Sequence, residues 1–167
     1  MNKRLTKIEI FKQEMKFSAG HFTIFSQDER ENLHGHNYFT HVILEAEVPD
    51  NGISFDYGIY KKVISNICRY LDEIVLLPTK SPYLNIEQDN ECVYAYFNSG
   101  KEKIPFLKRD VKLLPLRNIT VEELSYWFLQ ELLIYVQANQ RDKIESVEVK
   151  IFSGPGQSGA SFWKKSL

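Results

Sequence analysis

The sequence predicts one α+β domain in which strands flank a pair of helices, and three observations support this fold class. Residues 5–17 alternate apolar and polar side chains, a pattern typical of a half-buried strand. A similar strand signal returns near the end of the chain, at residues 144–152. Between these ends, two segments repeat apolar residues at helical spacing. The predicted order is therefore β-β-α-α-β-β, with an irregular insert between the helices.

The first half of the chain contributes two strands and a helix. Residues 36–48 alternate again and form the second strand, which ends in a turn at residues 49–52. In that turn Pro49 fixes φ, and Gly52 permits a positive φ. Asp56 is a good N-cap for a helix that runs to about Leu71. One apolar stripe defines the buried face of this helix: Ile59, Tyr60, Val63, Ile64, Ile67 and Leu71.

The second half begins with the insert, at about residues 80–115. Within it, Asn-Ser-Gly at residues 98–100 lies between two strand-like runs, which favours a β-hairpin. The second helix starts at Thr120, and Glu123 is placed to complete a capping box. After the strand at residues 144–152, a turn at 153–156 returns the chain into a last short strand at 160–163.

Length and composition limit the classes of protein that this chain can belong to. The 167 residues fit a single domain, and 43% hydrophobic with 26% charged residues indicate a packed, soluble core. A formal net charge of -1 gives no electrostatic reason to expect binding to nucleic acid or to an anionic membrane. The sequence contains no signal-peptide pattern and no apolar run near the ~20 residues of a membrane span. We therefore expect a cytoplasmic protein, with Cys68 as a reduced thiol buried on the inner face of its helix.

Three of the four histidines form the pattern that carries most chemical information. His34 and His36 are two residues apart in a predicted strand, so their side chains point to the same face. His21 ends the preceding strand and can supply a third imidazole if the two strands are neighbours. Three imidazoles and one open position suit a catalytic zinc ion. The alternative is three histidines without a common ligand; His41 falls on the opposite face and is expected to be a surface or core residue.

Six short motifs resemble those of the 6-pyruvoyltetrahydropterin synthase and 6-carboxytetrahydropterin synthase family. In chain order they are Phe17-Ser18-Ala19-Gly20-His21, His34-Gly35-His36-Asn37-Tyr38, Phe55-Asp56, Leu71-Asp72, Thr120-x-Glu122 and Ser153-Gly154-Pro155-Gly156. The resemblance implies the tunnelling fold, a four-stranded antiparallel sheet with two helices on one face. It also implies a trimer or hexamer with active sites between subunits. In such a site His21, His34 and His36 would bind zinc, and a dihydropterin would be the substrate.

The resemblance also suggests which groups move protons. In better-known members the base is a cysteine shortly before His-Gly-His, assisted by an Asp-His pair, but residues 1–67 here contain no cysteine. The segment Arg30-Glu31-Asn32-Leu33 is similar to a third subfamily in which glutamate replaces that cysteine. Glu31 is then the candidate base, although it could equally be an exposed loop acid. Asp72 is followed by Glu73 rather than histidine, so these residues form either a carboxylate pair or a helix-end surface.

The ring-binding residues depart further from the family pattern. Family members anchor the pterin ring with a glutamate on the penultimate strand, but residues 149–167 contain no Asp or Glu. Ser153 occupies the place where that acid is expected, and one hydroxyl cannot replace a bidentate carboxylate. Thr120 and Glu122 match the family's Thr-x-Glu, although Thr120 is also needed as an N-cap.

Three hypotheses follow from these features. The first is a zinc-dependent lyase that acts on 7,8-dihydroneopterin triphosphate or a related dihydropterin, in a folate, biopterin or queuosine-type pathway. Cleavage of the side chain to 6-hydroxymethyl-7,8-dihydropterin is the reaction associated with the glutamate subfamily. The second is a catalytically diverged paralogue that keeps zinc and the oligomer but binds another ligand. The third, an α+β binding domain without metal, requires the histidine pattern to be incidental.

Overall fold

The computed structural model describes residues 4–139 and 142–166. Within these residues the chain forms two α-helices and ten β-strands. The helices are Tyr57–Leu71 (α1) and Val121–Ala138 (α2). The strands, in chain order, are Leu5–Ile10 (β1), Lys16–His21 (β2), His34–Glu47 (β3), Ile74–Pro78 (β4), Asn85–Gln88 (β5), Cys92–Phe97 (β6), Glu102–Leu107 (β7), Val111–Leu114 (β8), Ile144–Gly154 (β9) and Gln157–Lys164 (β10). The α+β class and the order of the predicted elements are confirmed.

An antiparallel core holds the four strands that the sequence predicts. β3 pairs with β9 on one side, and β9 pairs with β10. On its other side β3 pairs with both β1 and β2, which together act as one interrupted strand. The prediction of a single continuous strand at residues 5–17 is therefore wrong. A turn breaks it, in which the Met15 N–H donates to the Lys12 carbonyl at 2.8 Å.

Two parallel strands extend this core beyond the predicted sheet. β4 lies beside β2, and β8 lies beside β4, so that the complete sheet has the order β10-β9-β3-β2-β4-β8 with β1 on β3. Leu76 and Leu77 of β4 are fully buried, because Leu76 packs in the main core and Leu77 packs in a second apolar cluster. The insert thus follows β4 directly and ends in β8, and both of these strands belong to the main sheet.

The rest of the insert is a separate three-stranded antiparallel sheet, β5-β6-β7. The predicted hairpin is confirmed: β6 and β7 are joined through Asn98 and Ser99, both at positive φ, and Gly100. This small sheet buries apolar side chains against the loop between β2 and β3. The cluster that results is distinct from the main core and contains Phe22, Ile24, Leu77, Leu84, Val93, Ala95, Phe97 and Val111.

Each helix buries one apolar face in the main core, together with one face of the sheet. Ile59, which the sequence placed on the buried stripe of α1, is instead 43% exposed. Asp56 caps α1 by accepting from Gly58 N–H at 2.7 Å, and Thr120 caps α2 by accepting from Glu123 N–H at 3.4 Å. The Glu123 carboxylate binds Arg117, through its backbone N–H and its guanidinium, instead of completing the predicted capping box. Within the described residues, neither helix has the length and apolar character needed to cross a bilayer.

Candidate metal centre

The pairing of β2 with β3 brings three imidazole rings together. His21 lies directly opposite His34 in the register, and His36 lies two residues further along β3 on the same face. The ring centroids are 4.6 Å apart for His21 and His34, 5.1 Å for His21 and His36, and 4.8 Å for His34 and His36. One nitrogen from each ring lies within 4.8 Å of the others. The cluster is therefore assembled as the sequence predicts.

Backbone carbonyls set the orientation of two of these rings. His21 Nδ1 lies 2.8 Å from the carbonyl oxygen of Ile119, and His34 Nδ1 lies 2.8 Å from that of Asn32. A carbonyl can only accept, so each Nδ1 carries the proton and each Nε2 presents a lone pair. The same arrangement, in which the second ring nitrogen donates to an oxygen, orients metal-bound histidines in general.

The nitrogens that face one another are suited to a metal ion. His21 Nε2 is buried and has no hydrogen-bond partner among the described residues, which is unfavourable unless a ligand occupies the position. His34 Nε2 and His36 Nε2 are 3.0 Å apart. Two nitrogens bound at about 2.0–2.1 Å to one tetrahedral ion are about 3.3 Å apart, so a small movement would accommodate zinc.

The lowered pKa of His21 also favours the neutral ring that a metal ligand needs. Burial lowers the pKa of this imidazole to about 4, against the opposing effect of its hydrogen bond to Ile119. The ring is therefore neutral at physiological pH and can bind a cation. A set of three imidazoles suits zinc and also other divalent transition ions.

Glu31 lies beside the histidine cluster, in the loop between β2 and β3. Its Oε2 is 4.0 Å from His34 Nε2 and accepts a hydrogen bond from Thr23 N–H at 2.9 Å. Its own N–H donates to the Thr23 carbonyl, also at 2.9 Å, so backbone and side chain are held by the same residue. Partial burial raises the pKa of this carboxyl, but the bonds from Thr23 and the nearby imidazoles outweigh burial and lower it overall. Glu31 is thus an ionised, oriented carboxylate at the edge of the cluster.

Asp72 and Glu73 are placed at the end of α1, against the edge of β2. The Asp72 carboxylate accepts from Ser18 N–H at 2.7 Å, and the Glu73 N–H donates to the Ser18 carbonyl at 2.7 Å. Asp72 therefore fastens the helix to the strand. Glu73, at a φ of 55°, lines an open cavity of about 450 Å³ whose wall also includes His36 and Asp110.

The three predicted ring-binding residues lie on two elements, at the start of α2 and on β9. Thr120 follows Ile119, whose carbonyl binds His21, and the exposed Glu122 lies in the first turn of α2. Phe152 pairs with Phe39, so alternation along β9 places Ser153 on the face of the sheet that carries the histidines. His41 lies on the other face, where its Nε2 is 2.8 Å from a carboxylate oxygen of Glu9.

Tyr38 is a neighbour of the cluster that the sequence analysis did not single out as a site residue. Its ring stacks on Phe17 and meets His21 and His36 edge-on, with centroids 6.0 and 5.5 Å away. Its hydroxyl is buried without a hydrogen-bond partner among the described residues, and burial raises its pKa. The signal was available, because Tyr38 continues the two-residue alternation of His34 and His36.

Comparisons of the sequence with known proteins point to one family. A profile of the family described as 6-pyruvoyl tetrahydropterin synthase matches residues 9–163. A Methanocaldococcus jannaschii protein, provisionally named as a 6-carboxy-5,6,7,8-tetrahydropterin synthase, is 30% identical over 151 residues and covers 90% of each chain. A Pyrococcus horikoshii protein with the same provisional name is 23% identical over 141 residues, covering 84% of this chain and 81% of its own.

Solved structures show the same fold. The Plasmodium vivax 6-pyruvoyl tetrahydropterin synthase superposes with a TM-score of 0.90 at 24% identity, covering 97% of this chain and 99% of its own. Further structures of the P. vivax protein, with a TM-score of 0.91, carry alanine or cysteine in place of a glutamate named as its catalytic residue. The extent of the profile match and the Methanocaldococcus jannaschii relative establish that this chain belongs to the 6-pyruvoyl tetrahydropterin synthase family.

Proposed function

We propose that this protein is a zinc-dependent lyase that acts on 7,8-dihydroneopterin triphosphate or a related dihydropterin, with Glu31 as the general base. The observation that carries the proposal is the carboxylate of Glu31, held 4.0 Å from His34 Nε2 at the edge of the three-imidazole cluster. A base is needed next to the metal because the protons to be removed lie on the side chain that the metal would hold.

Each residue of the site has a definable role in this reaction. His21, His34 and His36 would hold the ion, which when bound polarises carbon–oxygen bonds of the side chain and acidifies adjacent protons. Glu31 would accept such a proton, and Thr23 N–H fixes the carboxylate in place through Oε2. Substrate binding would exclude water from Glu31 and raise its pKa, which makes the carboxylate a better base.

The comparisons support this assignment in two ways. The P. vivax synthase, which shares the fold, is described with a catalytic glutamate, as we propose here for Glu31. The archaeal relatives carry provisional names that also refer to a tetrahydropterin synthase. We further propose that Thr120, Glu122 and Ser153 contact the pterin, that Asp72 and Glu73 assist proton transfer, and that the protein assembles as a trimer or hexamer.

A direct experiment would measure bound zinc and turnover of dihydroneopterin triphosphate in the same purified samples. The wild-type protein should hold about one zinc ion per chain and release a pterin product. Glu31→Gln should keep the zinc and lose a factor of about 10²–10⁴ in kcat, the usual contribution of a general base. Glu29→Gln, two residues earlier in the same loop, is the matched control and should leave both quantities unchanged.

A second candidate function rests on Ser153. One hydroxyl stands where the family anchors the ring with a carboxylate, and residues 149–167 offer no acid in exchange. A diverged paralogue would therefore bind zinc but accept a ligand other than a pterin. Zinc binding without conversion of dihydroneopterin triphosphate or other pteridines would favour this candidate, and a protein that binds no metal would refute both.

A further inference from the structure

The side chain of Arg30 connects the loop that carries Glu31 to the insert sheet. Its Nη2 donates to Glu102 Oε2 of β7 at 2.7 Å, and its Nη1 donates to the carbonyl oxygen of Glu31 at 2.9 Å. One guanidinium thus contacts both the insert and the backbone of the proposed base. Arg30 and Glu102 are 72 residues apart in sequence, so the contact exists only in the folded chain.

The surroundings of Arg30 hold it in this position. Its side chain is only 16% exposed, and the guanidinium lies over the rings of Phe22 and Phe97 at 5.2 and 5.5 Å. Both rings are almost fully buried in the cluster shared by the loop and the insert. A cation in such a place is stable only if it is paired, and Glu102 supplies the opposite charge.

Contacts within the loop, including an antiparallel bridge between Ile24 and Arg30, hold one side of Glu31. The Glu31 carboxylate and N–H are both held by Thr23, whereas its carbonyl is held by Arg30. Glu31 is therefore held by two hydrogen bonds from within the loop and by a third, to its carbonyl oxygen, that depends on the insert through Arg30. A rotation of the peptide unit that contains the Glu31 carbonyl would move the Glu31 carboxylate relative to His34.

We propose that the insert sheet positions Glu31 for catalysis, with Arg30 as the positioning residue and Glu102 as its anchor. This inference rests on the proposed function of Glu31 as the base and assigns a role to the insert within that site. Neither Arg30 nor Glu102 is proposed to contact the substrate. Their effect passes through the Glu31 backbone.

The test uses Glu102→Gln, which keeps the shape of the anchor and removes its charge, and Arg30→Lys, which keeps the charge and removes the fork of donors. Glu87→Gln, in β5 of the same insert sheet, is the matched control. Zinc content, kcat and KM for dihydroneopterin triphosphate, and hydrogen exchange of the Thr23 amide are measured for each full-length variant. Glu102→Gln and Arg30→Lys should retain zinc, keep KM within about twofold and lower kcat by about 10- to 100-fold, as expected for a displaced catalytic group.

Two readouts separate positioning from general stability. The Thr23 amide, which donates to the Glu31 carboxylate, should exchange at least about tenfold faster in Glu102→Gln than in Glu87→Gln. When Glu102→Gln is combined with Glu31→Gln, the residual rate should fall no further than in Glu31→Gln alone, because the base through which Glu102 acts is already absent.

The outcomes that overturn the inference are equally specific. Unchanged kcat and unchanged Thr23 exchange in both variants would refute it, and so would a loss of zinc, which would mean that the insert supports the ligands instead. Lower thermal stability with normal kcat would assign the contact to folding alone. If the wild-type protein has no activity on pteridines, the proposed function fails, while the exchange of Thr23 still decides whether the insert holds Glu31.

Discussion

Replacement of Gly159 by alanine should destabilise the fold, because the structure leaves no room for a methyl group at this position. Gly159 lies in β10, directly under the first turn of α2. A Cβ atom at this position would lie 2.6 Å from the carbonyl carbon of Val121, 2.7 Å from its oxygen and 2.7 Å from the nitrogen of Glu122. All three are backbone atoms, so no side-chain rotation can relieve the contact.

The expected cost follows from these distances. Ordinary contacts of a Cβ begin at 3.4 Å, so the helix terminus or the strand must move by about 0.8 Å. Overpacking of this kind typically costs about 1–3 kcal/mol, and a clash with backbone alone places Gly159→Ala near the upper end. The displaced segment begins next to Ile119, whose carbonyl oxygen orients the His21 ring. Because a movement of Thr120 would shift that carbonyl, zinc affinity should fall as well.

Urea unfolding at a fixed protein concentration measures the effect as a change in midpoint with an unchanged slope. Gly154→Ala is the control, because a Cβ there would meet no atom within 4 Å, and it should change the free energy of unfolding by less than about 0.5 kcal/mol. A Gly159→Ala protein as stable as the Gly154→Ala protein would refute the close packing of α2 on β10.

Three further predictions concern the metal centre and the thiols. His34→Ala should reduce bound zinc to well below one ion per chain, measured by metal analysis, whereas His41→Ala should not. In chelator-treated protein the free energy of unfolding should fall by about 1–3 kcal/mol between pH 6.5 and 4. The reason is that the unfolded chain protonates His21 at its ordinary pKa of 6.5, whereas the folded chain does so only at a pKa of about 4. A His21→Asn variant should lack this loss, and an equal loss in both proteins would contradict the assignment. Iodoacetamide at pH 8 should label Cys92 in the native protein but not Cys68, because burial raises the pKa of the Cys68 thiol to about 11. Peptide mass spectrometry should find both cysteines labelled when the protein is unfolded in urea.

The histidine cluster could be predicted because its information is local. The two-residue alternation of a strand places His34 and His36 together, and the antiparallel pairing of consecutive strands adds His21. The β6–β7 hairpin was predictable for the same reason, since Asn98 to Gly100 is a recognisable turn. Each of these features depends on a short stretch of chain.

The features that the sequence analysis missed depend on distant contacts. The parallel strands β4 and β8 are short apolar runs that pair across the whole insert, and no local pattern indicates that partner. The Glu123 carboxylate is drawn away from its capping position by Arg117, a charged residue outside the helix. The ion pair between Arg30 and Glu102 is likewise invisible until the fold brings the loop and the insert together.

The hydrogen bond from His21 to Ile119 spans 98 residues, although all three imidazoles come from a stretch of only 16. A growing chain or a fragment can therefore contain all three histidines before the Ile119 carbonyl is in place. That carbonyl determines which of the two His21 nitrogens carries the proton. Until the start of the second helix docks, that ring is free to offer either nitrogen. We therefore expect tight metal binding to require the finished fold, and the β2–β3 hairpin in isolation should bind metals weakly and with little discrimination.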